Sequence, residues 1–216
     1  MLENLPRQCE VILSKGLAEL NISITAKQQT LLLDYIALLV KWNKAFNLTA
    51  IRKPEAMITR HLLDSLAVGA YLQGDNIIDV GTGAGIPGIP LAILFPNRRF
   101  TLLDSNGKKV RFMEQVKQKL ILDNITLLQH RVESFHHEAE FDSVISRAFT
   151  SLDQMVDLTK HLVGEKGLMQ AMRGAAPESS SLTDPWEIDE IIKLQVPGLD
   201  EQRHLINIRS MIRKEV

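Results

Sequence analysis

The run Asp79-Val80-Gly81-Thr82-Gly83-Ala84-Gly85-Ile86-Pro87-Gly88 constrains this chain more than any other stretch. It closes a short apolar segment, Asn76-Ile77-Ile78-Asp79-Val80, that reads as a buried strand. Glycines set directly after a strand let the backbone turn tightly and approach a ligand with no Cβ in the way. So dense a cluster weakens folding unless close approach is needed, so a bare turn is the lesser explanation.

Two ligand classes use such a loop. Gly83-Ala84-Gly85-Ile86-Pro87-Gly88 matches G-x-G-x-x-G, and Asp104 follows Gly83 by 21 positions, the ribose-binding spacing of a dinucleotide site. Asp79-Val80-Gly81-Thr82-Gly83-Ala84-Gly85 equally matches the acid-x-Gly-x-Gly-x-Gly loop that holds S-adenosylmethionine. Charge favours the second. Asp79 at the strand end would repel a pyrophosphate, whereas an ammonium and a sulfonium would be attracted. Pro87 also removes a backbone donor that a pyrophosphate would use. Asp104 ends the next strand, where it either accepts ribose hydroxyls or caps the helix that begins near Gly107.

The rest of the chain alternates strand and helix. Strands are expected at residues 76–80, 100–104, 124–129, 141–146 and 167–172, with helices at 107–122 and 152–162. That alternation predicts an α/β fold with a parallel sheet covered on both faces. Residues 174–181 read as a loop, and strands at 188–195 and 204–208 make a closing hairpin. Ahead of the glycine loop the pattern is helical. Expected helices cover residues 5–20, a segment opening at Thr25, and residues 54–71 from Pro54. Thr25 and Gln28 have capping-box spacing. Leu31, Leu32, Tyr35, Leu38, Leu39, Trp42 and Phe46 repeat at helical spacing, which core packing accounts for. The expected division is a helical cap over residues 1–72 and a ligand-binding core over 73–216.

Cys9 is the only cysteine, so no disulfide within the chain and no cysteine-based zinc site can form. The chain starts without a signal-peptide pattern, and its most apolar stretch, residues 31–40, is too short to span a bilayer. A cytoplasmic protein away from the membrane is expected. His136-His137 reads as a loop pair and His61 as a packed or hydrogen-bonded histidine, with no metal site. Net charge is −1, which argues against a strong non-specific nucleic-acid binder. Any action on RNA must rest on a local patch.

With these residues in view, the chain resembles the 16S ribosomal RNA guanine-N7 methyltransferases, a family also called glucose-inhibited division protein B or ribosomal small-subunit methyltransferase G. The likeness runs through Trp42-Asn43 with Phe46-Asn47-Leu48-Thr49, Arg60-His61-Leu62-Leu63-Asp64-Ser65 and the glycine loop to Leu91. It continues in residues 102–112, Arg131-Val132-Glu133, Ser146-Arg147-Ala148-Phe149 and Arg203-His204-Leu205. The resemblance implies a Rossmann-like class I methyltransferase fold, with a seven-stranded, mostly parallel sheet, helices on both faces and an N-terminal helical cap. It implies S-adenosylmethionine as cofactor, 16S rRNA of the small subunit as partner, and a monomer. It assigns Gly81, Ile86, Val132, Glu133 and Arg147 to the cofactor, joining Asp79, Gly83, Gly85 and Asp104 from the loop argument. Arg173 departs from the family, where lysine often precedes the glycine, and arginine differs in reach and geometry.

Arg60, Lys108, Lys109, Arg111, Arg131 and Arg173 lie near strand ends, where they could grip RNA phosphates around the crevice. Each alone is also an ordinary solvated charge. The expected reaction is methylation of guanine N7, which has a free lone pair and needs no general base, with Arg147 as the catalytic residue that orients RNA. Two other classes remain open at this point: an NAD-dependent oxidoreductase using the glycine loop, and a binding module without activity.

Overall fold

The computed structural model describes residues 5–136, 140–147, 149, 151–177 and 182–211. His137 and part of the expected 174–181 loop lie outside the described residues. The first helices are α1 (Arg7–Glu19) and α2 (Ala26–Phe46). Helix α2 starts where the sequence says it should. The Thr25 hydroxyl accepts the Gln28 amide at 3.2 Å and the Gln28 side chain accepts the Thr25 amide at 2.9 Å, satisfying two otherwise orphaned donors. Gln28 Nε2 also donates to the Ile93 and Leu94 carbonyls, so the cap residue pins α2 to a later helix.

The expected helix over residues 54–71 is not continuous. It divides into α3 (Pro54–Met57), a π-helical segment Ile58–Leu63, α4 (Asp64–Leu66) and a 3-10 turn Gly69–Tyr71. The π turn releases carbonyls from the usual ladder, and the Arg60 carbonyl finds partners elsewhere, as described below.

Among the described residues seven strands form one sheet. They are β1 (Asn76–Val80), β2 (Arg99–Asp104), β3 (Ile125–Gln129), β4 (Phe141–Ser146), β5 (Val163–Arg173), β6 (Trp186–Leu194) and β7 (Arg203–Ser210). Their order is β3-β2-β1-β4-β5-β7-β6. Strands β1 to β5 pair in parallel, and β7 runs antiparallel to both β5 and β6. The hairpin thus enters with β7 inside and β6 at the edge. Helices α5 (Gly88–Leu94), α6 (Gly107–Leu120) and α7 (Leu152–Thr159) fill the connections.

Alternation along each strand feeds two cores. Ile77, Phe100, Leu102 and Ile145 face one side with α5, α6 and the N-terminal helices; Ile78, Val80, Leu103 and Val144 face the other with Met155 and Val156 of α7. Leu13, Leu32, Tyr35 and Leu39 share the first core with the sheet residues, so the N-terminal helices are packed into the same apolar mass. The chain direction reverses between β1 and β4, and the carboxyl ends of these strands open a crevice at that switch point.

Candidate active site

The glycine loop is shaped by two carboxylates. Asp79, wholly buried at the end of β1, accepts the Thr82 hydroxyl at 2.6 Å and the Gly88 amide at 2.8 Å through Oδ2. Asp104, at the end of β2 and 6% exposed, accepts the Gly83 amide at 2.8 Å through Oδ2 and the Asn106 amide at 2.8 Å through Oδ1. Lys109 Nζ stands 3.5 Å from Asp104 Oδ2. The cap of α6 is Asn106, whose side chain accepts the Lys108 amide, so Asp104 is not that helix's N-cap. Gly81, Gly83 and Gly85 have φ of 69°, 65° and 85°, a region that side chains rarely tolerate.

The loop's donors are already committed. Gly81 and Thr82 donate to the Leu103 carbonyl, Gly85 and Ile86 to the Thr82 carbonyl, Gly83 to Asp104 and Gly88 to Asp79. A pyrophosphate cradle needs such amides free. The loop therefore fails the requirement of the dinucleotide reading, despite the literal G-x-G-x-x-G.

A cavity of about 300 Å³ opens beside the loop. Val80, Gly81, Asp104, Lys109, Val132 and Glu133 contribute to its lining, together with Arg131 and Phe149. Asp79 lies beneath the loop, and Gly83, Gly85, Ile86 and Arg147 are not part of this lining. A carboxylate at one end, a short apolar wall of Val80, Leu103 and Val132, and a second carboxylate at Glu133 suit an adenosine with an uncharged ribose. Each oxygen of Asp104 can accept more than one hydrogen bond, so ribose hydroxyls can join the backbone amides there.

Arg147, just past β4, brings in a group that sequence reasoning assigned no role. Its Nη1 donates to Asp64 Oδ2 at 3.0 Å and to the Arg60 carbonyl at 3.1 Å. Arg203 Nε donates to the other Asp64 oxygen at 3.2 Å. Asp64 is 1% exposed and is clamped between two guanidiniums from different strands. A carboxylate inside the apolar run Leu62-Leu63-Asp64-Ser65-Leu66 was the available signal, because a buried charge demands a partner.

The remaining cations are dispersed around this edge of the sheet. Arg60 forms an ion pair with Glu201. Lys108 and Arg111 are exposed in the first turn of α6, where Arg111 Nε donates to the Gly107 carbonyl at 3.2 Å. Arg173 ends β5 and reaches the Phe149 carbonyl at 3.4 Å. No cluster of potential metal ligands occurs among the described residues, and none of their helices is long and apolar enough to cross a membrane.

His61 is held as a neutral ring. Its Nδ1 lies 3.1 Å from the Arg60 carbonyl and its Nε2 lies 3.0 Å from the Thr49 hydroxyl, which fixes Nδ1 as the donor. Burial, reinforced by the charges of Arg147 and Arg60, lowers its pKa to about 4. Burial also raises Asp79 to about 6, against hydrogen bonds from Thr82 and Gly88 and the charge of Arg147. The two groups act with opposite sign. The unfolded chain binds the His61 proton more readily, so His61 removes stability as pH falls from about 6.5 to 4. Folded Asp79 binds its proton more readily, so protonation returns stability as pH falls through 6 toward 4. Each effect is about 3 kcal/mol, and they largely offset. His61→Gln removes only the first. Its stability relative to wild type, measured by urea unfolding at pH 7 and pH 4.5, is expected to improve at the lower pH. Parallel profiles for the two proteins would refute this account of His61.

Comparison with known proteins agrees with this geometry. The family model described as GidB, rRNA small subunit methyltransferase G, matches residues 27–206. Proteins named ribosomal RNA small subunit methyltransferase G from Salmonella paratyphi B and Salmonella typhimurium are each 54% identical over 200 residues, covering 92% of this chain and 97% of theirs. Among solved structures, an S-adenosylmethionine-dependent methyltransferase from Aquifex aeolicus matches with TM-score 0.54 at 11% identity, over 71% of this chain and 92% of its own. The methyltransferase yhhF from Escherichia coli matches with TM-score 0.52 at 13% identity, over 69% and 87%. These two establish the Rossmann-like class I methyltransferase fold, and the oxidoreductase alternative finds no support beside them. With its crevice at the β1–β4 switch point and its likeness extending from α2 to β7, the chain belongs to the rRNA small subunit methyltransferase G family.

Proposed function

We propose that this chain transfers a methyl group from S-adenosylmethionine to N7 of one accessible guanine in 16S ribosomal RNA. The observation that carries the reading is Asp104, which ties the glycine loop to the end of β2 inside a cavity whose neighbouring amides are not available to phosphate. Family membership supplies the acceptor class.

Bound S-adenosylmethionine supplies an electrophilic methyl on a sulfonium. Asp104 accepts the ribose hydroxyls, and Val132 and Glu133 stand beside the adenine. Gly81, Gly83 and Gly85 let the backbone come close. Ile86 continues the apolar side of the loop, and Asp79 sets the loop's shape from below through Thr82 and Gly88. No residue has to take a proton, because N7 of neutral guanine has a lone pair and no hydrogen. Catalysis then rests on holding N7 in line and keeping water out. Arg147, fixed by Asp64 and the Arg60 carbonyl, orients the RNA. Arg60, Lys108, Lys109, Arg111, Arg131 and Arg173 grip phosphates around the same edge. N7 lies in the deep major groove of an A-form helix, so the target is a guanine in a loop.

The test uses purified protein, labelled S-adenosylmethionine and small ribosomal subunits from cells lacking the enzyme. Digestion and mass analysis should find the label on guanine N7 at one position. Label on protein, on small molecules or on another base atom would overturn the acceptor assignment and leave the cofactor site standing.

A further inference from the structure

The carboxyl end of α2 carries an unusual surface. Phe46 is 45% exposed and is the one exposed phenylalanine among the described residues. It stands against Trp42, with ring centroids 5.1 Å apart and planes tilted by 33°. Trp42 in turn packs on Phe112 of α6 at 5.7 Å. One side of Phe46 is therefore supported by a half-buried aromatic stack while the rest meets solvent. Core packing explains Tyr35 and Leu39 on this helix but not an exposed ring at its tip.

Charge is concentrated at the same place. Between Asp34 and Glu55 there is no acidic residue, and Lys41, Lys44, Arg52 and Lys53 fall within that interval. The chain as a whole is at −1, so this is the kind of local excess a near-neutral RNA enzyme requires. Arg52 is also preset. Its Nη2 donates to Asn47 Oδ1 at 2.7 Å and its Nη1 to the Asn43 carbonyl at 3.4 Å, which holds the guanidinium at the helix end beside Phe46.

The surface is wired to the active site. Asn43 Oδ1 accepts the Thr49 amide at 2.9 Å, and the Thr49 hydroxyl meets His61 Nε2. His61 Nδ1 and Arg147 Nη1 share the Arg60 carbonyl. On the other side, the Tyr35 hydroxyl donates to the Ala84 carbonyl of the glycine loop at 2.9 Å. Helix α2 thus lies along the crevice, and its tip projects as part of the rim.

We propose that Phe46, backed by Trp42 and flanked by Arg52, is a stacking platform for an unpaired base of the RNA substrate next to the methylated guanine. The proposal rests on the RNA reading above. An aromatic face beside fixed cations suits single-stranded nucleic acid, because every base has a π face and every nucleotide a phosphate. The platform captures a flanking base and so holds the reactive guanine over the crevice.

The test compares Phe46→Ala, Phe46→Leu and Phe46→Trp using small subunits as substrate. Leucine keeps an apolar contact with Trp42 but has no π face. Both Phe46→Ala and Phe46→Leu should raise KM for the subunit roughly 5- to 150-fold, the range for losing one base–aromatic stack. Phe46→Trp should stay near wild type, and all three should keep the wild-type Tm and S-adenosylmethionine affinity. Arg52→Ala should reduce the salt slope of RNA binding by about 0.7, the value for one phosphate on a single strand, while Phe46→Leu leaves the slope unchanged. A Phe46→Leu enzyme with wild-type KM overturns the platform, as does a wild-type dimer that Phe46→Ala dissolves, which would give this face to a second copy. If wild type methylates no RNA at all, the function itself fails and the platform with it.

Discussion

Asp64→Ala should lower folding stability by about 3 kcal/mol and remove most methyl transfer, although Asp64 lies outside the cofactor cavity. Its carboxylate is buried and receives a guanidinium on each oxygen, Arg147 from the end of β4 and Arg203 from β7. Removing one partner of a buried charge set is costly because the others are left uncompensated. Both arginines retain partial contact with water, with side chains 30% and 23% exposed, which keeps the loss at the lower end of the usual range. The catalytic loss comes from a freed Arg147, which no longer presents its guanidinium from a fixed place. Asp64→Glu keeps the charge at the wrong reach and should recover stability better than turnover. Urea unfolding and single-turnover methyl transfer separate the two effects. An Asp64→Ala protein within 1 kcal/mol of wild type would show that the clamp carries little weight.

Asp104 is expected to be intolerant even of its amide. Asp104→Ala should weaken S-adenosylmethionine binding by about 1–3 kcal/mol, the scale for losing charge-assisted hydrogen bonds. Asp104→Asn should do nearly as badly. One carboxylate oxygen accepts the Gly83 amide and the other accepts the Asn106 amide. An asparagine in either orientation must set its own NH2 against one of these N–H groups. The loop then loses the contact that holds Gly83 at the cavity's edge. Calorimetric titration of the folded variants checks this, with wild-type affinity for Asp104→Asn as the result that excludes it.

Much of the sheet could be read from local pattern. Short apolar runs closed by Asp79 and Asp104 announced β1 and β2, and the Thr25–Gln28 pair announced the start of α2, because each signal sits within a few residues of its effect. The glycine loop was legible for the same reason. The break in the helix over residues 54–71 was not, since the partners that use the π segment come from far away. Arg147 is 87 positions from Arg60, and Arg203 is 139 from Asp64. Sheet order alone brings β4 and β7 to that helix. Likewise the apolar repeat of α2 was correct as a core-packing signal at Tyr35 and Leu39, but periodicity cannot say where a helix outruns the core it packs on. Phe46 lies past that point.

The π segment also sets how this stretch can change over generations. A π turn amounts to one residue more than a regular helix would hold at that place. Deleting any single residue between Ile58 and Leu63 would restore an ordinary ladder and rotate everything after it by about 100°. Asp64 would swing off the Arg147–Arg203 pair, and Ser65, now buried with its hydroxyl on the His61 carbonyl, would turn with it. Point substitutions on the outer face leave that register intact, whereas a one-codon deletion or insertion does not. Length, more than residue identity, is therefore the inherited constraint on residues 58–63.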